Sequence, residues 1–296
     1  MSKRRELPVE CVIDGKNTIG ESPVWSTREE ALYWVDIPAA KLFRFHPEAG
    51  TQRAWQLPAA IGSIGLREAG GFVLALRSGF HLFDPDTGEL TFLCHPEADI
   101  ATNRLNDGKV SPEGRFWAGT MDDRPQREPR GHLYRLDADH RCTRMASGIT
   151  VSNGLAWSPD GRFMYHSDSR AAAIYRHTYD TESGAIGPRE VWVRMQPEWG
   201  RPDGAATDAE GCYWSCGISA ARLNRFSPEG KLIEHVPLPV THPTMPCFAG
   251  PELKTLYITS LRENLTDEDL ARTPQAGGLF RIQLDVGGVP IPAYKG

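Results

Sequence analysis

A stretch of about a dozen residues recurs along this chain at nearly even spacing, and that recurrence restricts the fold more than any bulk property does. Asn106-Asp-Gly-Lys-Val-Ser-Pro-Glu-Gly-Arg-Phe-Trp117 aligns without gaps on Asn153-Gly-Leu-Ala-Trp-Ser-Pro-Asp-Gly-Arg-Phe-Met164. Asp203-Gly-Ala-Ala-Thr-Asp-Ala-Glu-Gly-Cys-Tyr-Trp214 fits the same frame, and the segment from Glu21 to Trp34 fits with a longer turn. Weaker copies begin near Gly62 and Met245. The copies lie roughly 42 to 50 residues apart, which is the length of one four-stranded propeller blade. Each contains a short alternating run such as Leu32-Tyr-Trp-Val-Asp36 or Phe72-Val-Leu-Ala-Leu76, set off by turn clusters such as Ser158-Pro-Asp-Gly161 and Ser227-Pro-Glu-Gly230. A second strand pair follows each copy, as at Leu42-Phe-Arg-Phe45 and Leu279-Phe-Arg-Ile282.

The expected fold is therefore all-β: a six-bladed β-propeller with four antiparallel strands per blade, forming one domain over residues 1–296. The segment Leu7–Val12 precedes the first copy and is expected to add a strand to the last blade, closing the ring and removing its free edges. Trp25, Trp117, Trp157 and Trp214 fall at blade-core positions.

The residue opening each copy stands just before the innermost strand of its blade, so the six of them face one mouth of the central channel. In order they are Glu21, Gly62, Asn106, Asn153, Asp203 and Met245. Four are oxygen donors and two of those are carboxylates. Any one of them fits ordinary turn chemistry. As a set they place like charges on a shared, desolvated axis, which is unfavourable unless a hard divalent cation sits among them.

Other function classes find little support. The net charge is −5, so a general affinity for nucleic acid or for a membrane surface is not expected. Lys3-Arg4-Arg5 resembles the charged end of a signal peptide, but Glu6, Glu10, Asp14 and Lys16 interrupt the stretch where an apolar segment would follow. The expected location is cytoplasmic. The six cysteines contain no CxxC pair and are expected to be free thiols. The nine histidines show no zinc-binding pairing, although His242 enters the last blade near the channel mouth and is a candidate for lining a pocket. No GxSxG nucleophile elbow and no phosphate-binding glycine motif is present.

Gly20-Glu-Ser-Pro-Val-Trp25, Arg104-Leu-Asn-Asp-Gly-Lys109, Ala118-Gly-Thr-Met121, Ser152-Asn-Gly-Leu-Ala-Trp157 and Pro202-Asp-Gly204 occur in this order. In these motifs the chain resembles the senescence marker protein 30, gluconolactonase and luciferin-regenerating enzyme family over essentially its whole length. The resemblance implies a six-bladed propeller with one divalent cation in its channel and hydrolysis of aldonolactones and related esters. It implies that Glu21, Asn153 and Asp203 are the metal ligands. It also implies that Arg104 and Asn106 bind substrate, with Asn106 close enough to reach the cation directly or through water. Vertebrate members carry a substrate-binding glutamate shortly after the Ala-Gly-Thr-Met stretch; here Arg124 falls at that position, so a substrate role passes to an arginine and the substrate's identity is open.

The chemistry expected is metal-assisted opening of a sugar lactone to the aldonic acid, with Asp203 the carboxylate best placed to take a proton from the attacking water. Calcium is the expected cation, while zinc, manganese, magnesium and ferrous iron also suit such a shell. The expected partner is a small sugar lactone, on a monomer or weak homo-oligomer. Two rival readings share the scaffold. One is an ester or phosphotriester hydrolase, which would need an apolar pocket wall; the other is a non-catalytic calcium-binding or interaction propeller, which would need no acids on the axis.

Overall fold

The computed structural model describes residues 2–296 of the chain. Six small sheets form the ring of a six-bladed β-propeller, four strands to a blade. Blade 1 runs through Gly20–Ser26, Ala31–Asp36, Lys41–His46 and Thr51–Gln56. Blades 2 to 6 begin with the innermost strands Ile61–Leu66, Asn103–Val110, Ser152–Trp157, Arg201–Thr207 and Pro243–Ala249. These innermost strands are almost wholly buried, whereas the outer strand Thr51–Gln56 of blade 1 is largely exposed.

The hydrophobic core lies between the blades. Tyr33 and Leu42 of blade 1 pack with Ile64 and Leu74 of blade 2, and Trp214 of blade 5 packs with Phe248 and Phe280 of blade 6. Six such clusters, one per seam, surround the axis. This is why the second strands read as continuous apolar runs: a blade is covered on both faces. Trp117 and Trp214 are fully buried in these seams, and Trp25 and Trp157 nearly so.

The Ser-Pro-x-Gly segments at Ser111 and Ser158 are turns from the first strand to the second, and the one at Ser227 joins the third strand of blade 5 to the fourth. Ser158 Oγ accepts a hydrogen bond from Phe163 N at 3.0 Å, and Ser111 Oγ accepts one from Arg115 N at 3.2 Å. The closing glycines, Gly114 at φ 90° and Gly161 at φ 70°, lie in the left-handed region, where a side chain would be strained.

Ring closure falls slightly later than the sequence suggests. Glu10–Ile13 pairs antiparallel with Leu279–Gln283 as the outermost strand of blade 6, while Leu7 and Val9 pack against the blade 5–6 core. Lys3–Arg4 adds a further strand to blade 5, parallel to Leu232–Pro237. That strand has no apolar alternation to announce it, and backbone bonding plus the Arg5 ion pairs with Glu234 and Asp285 hold it in place.

The channel is closed at the end away from the strand starts. The segment after blade 6 crosses that face, with Val289 N bonded to Thr207 O, Tyr294 N to Leu66 O and Lys295 N to Gly114 O. Ile291 packs against three of the six core clusters. A short helix, Asp267–Arg272, carries a capping box between Thr266 and Asp269. All six cysteines are free, and no helix among the described residues is long and apolar enough to cross a membrane.

Candidate functional site

All six innermost strands break register at the same place. The interruptions fall between Glu21 and Val24, Ile61 and Ser63, Leu105 and Gly108, Asn153 and Ala156, Pro202 and Ala205, and Pro243 and Pro246. A bulge adds a residue to one strand and re-aims side chains locally, and here four of the six opening residues of the repeat, all but Gly62 and Met245, line the pocket at the channel mouth. The backbone needs small residues to do this. Gly154 sits at φ 63°, and a Cβ on Gly204 would collide with Met245 of the next blade.

The result is a pocket of roughly 230 Å3 whose lining includes Glu21, Asn106, Asn153 and Asp203. This is small beside sites for drug-sized ligands and suits a monosaccharide. Glu21, Asn153 and Asp203 are each buried, and neither carboxylate has an ion-pair partner among the described residues. Asp203 is pushed up to about 8 by burial first and then by the Asp107 charge. Burial, then Asp203 and Asp107, hold Glu21 well above the usual carboxylate range. Ser22 N donates to Glu21 Oε2 at 2.7 Å, which only partly offsets this.

Asn153 is held by a chain of hydrogen bonds. Its Nδ2 donates to Ser169 Oγ at 2.8 Å, and its Oδ1 accepts from Asn106 Nδ2 at 3.1 Å. Asn106 Oδ1 in turn accepts from Arg104 Nη1 at 2.6 Å. Because arginine can only donate, this contact fixes which way the Asn106 amide faces. Arg104 is anchored by Asp123, whose Oδ1 accepts from Nε at 3.0 Å while its Oδ2 is clamped by Arg77 at 2.6 Å.

This donor set fits a hard divalent cation. Two buried carboxylates, each with its proton affinity raised by burial and by a neighbouring carboxylate, beside an amide oxygen with a spare lone pair, suit a positive charge between them. A second acidic group, Asp208, Glu210 and Cys212, does not fit one. There Asp208 already accepts from Arg225 at 2.6 Å and from Trp214 Nε1 at 2.9 Å, and Arg225 also pairs with Glu210.

The structure thus brings Glu21, Arg104, Asn106, Asn153 and Asp203 together, and His242 lines the same pocket. It does not bring Arg124 there. The guanidinium of Arg124 folds back on the buried Asp122 carboxylate at 2.6 Å, and its pocket place is taken by Arg127. Sequence reasoning also passed over Arg170, Arg201 and Glu263 at the mouth, and Lys109, which lies outside the pocket lining within reach of the Asp107 and Glu21 charges. Lys109 is buried and donates to Ala205 O. Asp107 is also buried beneath the site and accepts from Leu155 N at 3.3 Å.

Fold and site together define a six-bladed propeller with two buried carboxylates, unpaired among the described residues, facing a pocket at one mouth of its channel. Residues 19–262 match the SMP-30/Gluconolactonase/LRE-like region, and the chain belongs to this family as an enzyme of the lactonase type. It is 44% identical to 6-deoxy-6-sulfogluconolactonase of Pseudomonas putida over 97% of this chain and 99% of that protein. It is 37% identical to regucalcin of Xenopus laevis, over 98% of this chain and 99% of that one. The crystal structure of a calcium-binding protein, regucalcin, from Agrobacterium tumefaciens superposes with a TM-score of 0.95 at 27% identity, covering 99% of both chains.

Proposed function

We propose that the chain opens a sugar lactone to its aldonic acid, with Glu21, Asn153 and Asp203 holding one divalent cation at the pocket floor. The observation that carries this reading is the burial of two carboxylates on the channel axis with no cationic partner. The names of the Pseudomonas relative and of the regucalcins support the two halves of the proposal, lactone chemistry and calcium. When bound, such a cation polarises an ester carbonyl and acidifies water.

The chain's own residues supply the rest. Asp203 has no side-chain hydrogen-bond donor on its carboxylate, so it accepts the proton of the water that adds to the lactone carbonyl. The ring C–O bond then breaks, and that proton passes to the departing ring oxygen, giving the open hydroxy acid. Asn106 and Ser169 hold Asn153 in place, and Asp123, Leu105 O and Asn106 hold Arg104 through Nε and Nη1, leaving the Nη2 donors of this pocket-lining residue free among the described residues. Those donors suit sugar hydroxyls and the new carboxylate. An aryl-ester pocket would need apolar walls, whereas this one carries four arginines.

The test is acid release from a panel of aldonolactones by chelated protein and by protein reloaded with each divalent metal. Turnover is expected only with metal, and Glu21→Gln or Asp203→Asn should lower kcat/KM by about 100-fold or more with an unchanged fold. Wild-type turnover in the chelated protein, or in Asp203→Asn, would refute the assignment.

A further inference from the structure

The arginines of the pocket wall are divided by blade, while its apolar residues are spread around it. Blades 1 and 6 contribute no arginine. Blades 3 to 5 contribute Arg104, Arg127, Arg170 and Arg201. Of these, only Arg104 has an ion-pair partner among the described residues, namely Asp123. Arg127 and Arg170 have no side-chain hydrogen bond to protein among the described residues, and Arg201 has a single long one to Ser219 Oγ at 3.5 Å. Arg127 is half-buried, and burial, then the Arg104 and Arg170 charges, press its proton affinity down.

Such clustering is costly and needs a cause. The chain carries more acids than bases, 38 against 33, yet four guanidiniums converge here. Several half-buried arginines elsewhere meet carboxylates, as Arg44 meets Glu29, Arg115 meets Glu113, and Arg135 meets Asp137. Others such as Arg67 and Arg222 stand singly against backbone carbonyls, but nowhere else among the described residues do three without a carboxylate partner share one cavity. Glu263 is the one further carboxylate at the mouth and cannot balance them. Glu21 and Asp203 offer no compensation either, once they are committed to a cation at the floor.

We infer that the substrate carries a fixed oxyanion at the end remote from the reacting carbonyl, received by Arg127, Arg170 and Arg201. This deepens the lactonase reading and rests on it: the lactone lies with its carbonyl at the Glu21–Asn153–Asp203 floor and its anionic substituent against blades 3 to 5. A sulfonate, a phosphate or a carboxylate presents the same acceptor oxygens to planar guanidinium forks. A neutral aldonolactone leaves three guanidiniums without a partner.

The test compares kcat/KM for the neutral glucono-lactone with its 6-sulfonate, 6-phosphate and 6-carboxylate counterparts, on metal-loaded protein. In parallel, calorimetry measures binding of the corresponding open-chain aldonates to wild type, Arg127→Ala, Arg127→Lys and Arg170→Ala. At least one anionic lactone should be preferred by about 30-fold or more, and the ranking of the three names the oxyanion. Each alanine variant should narrow that preference, and weaken aldonate binding, by about tenfold, as loss of a charged hydrogen-bond pair does. Arg127→Lys should recover part of the loss, and rising salt should weaken the anionic aldonates but not the neutral one. Equal turnover of neutral and anionic lactones, or variants that lower both alike, would overturn the inference while leaving the lactonase reading in place. If no lactone opens but anionic aldonates still bind in an arginine-dependent way, the lactonase reading fails and the anion site stands. If neither occurs, both fail.

Discussion

Removing the Asp203 charge should make the metal-free protein more stable and make the cation irrelevant to its stability. In the folded chain without a cation, burial and Asp107 lift the Asp203 carboxyl from an ordinary value of 3.8 to about 8. Below pH about 4 the group is protonated in both the folded and unfolded states and does not affect stability. Between pH about 4 and 8 the unfolded chain ionises while the folded one does not, so stability falls as pH rises through that window. At pH 8 the full rise corresponds to about 5 kcal/mol. Glu21 shares the proton and water reaches the open pocket, which brings the expected cost to about 2–3 kcal/mol. For a chain of this size that is about 5 °C in Tm. The assay is thermal unfolding of chelated wild type and Asp203→Asn from pH 5.5 to 8. Wild type should lose about 3 °C relative to the variant across this range, which spans a little over half of the titration window. Calcium added at pH 8 should recover that loss in wild type and do little for the variant. A wild-type Tm that does not fall relative to Asp203→Asn, or an equal calcium effect on both proteins, would refute the electrostatic account of the site.

Two further outcomes follow from other parts of the molecule. Asp208→Asn breaks the buried pair with Arg225 and should cost about 3–5 kcal/mol, read as a lower Tm, while calorimetric cation affinity stays unchanged because this acidic group is structural. Asp123→Ala frees the Arg104 guanidinium, so KM should rise about tenfold with a smaller change in kcat, and Asp123→Glu should restore part of the loss.

The blades were legible because each must bury both faces, which writes apolar runs and Ser-Pro-x-Gly turns into the chain at a fixed interval. Glu21, Asn153 and Asp203 were legible for the same reason: a bulge at one phase of the repeat aims them all at one axis. Arg124 was misplaced because position in sequence does not say which carboxylate a flexible side chain finds. Asp122, buried at the end of its strand, captures that guanidinium at short range, and the loop then delivers Arg127 to the pocket. Asp107 and Lys109 read as turn chemistry in Asn106-Asp-Gly-Lys109, yet the bulge puts both inside the channel. The sealing tail, Val289-Pro-Ile-Pro-Ala-Tyr294, has neither periodicity, because it crosses blade ends without joining a sheet. The Thr266–Asp269 capping box was visible in principle as Thr-x-x-Asp, but so short a helix offers no apolar stripe to confirm it.

The most direct test of the account is anomalous diffraction from crystals soaked in a manganese salt. A single strong peak enclosed by Glu21, Asn153 and Asp203, absent from Asp203→Asn crystals, is the predicted result. A peak at Asp208 and Glu210 instead, or none in the channel, would contradict a cation site on the propeller axis.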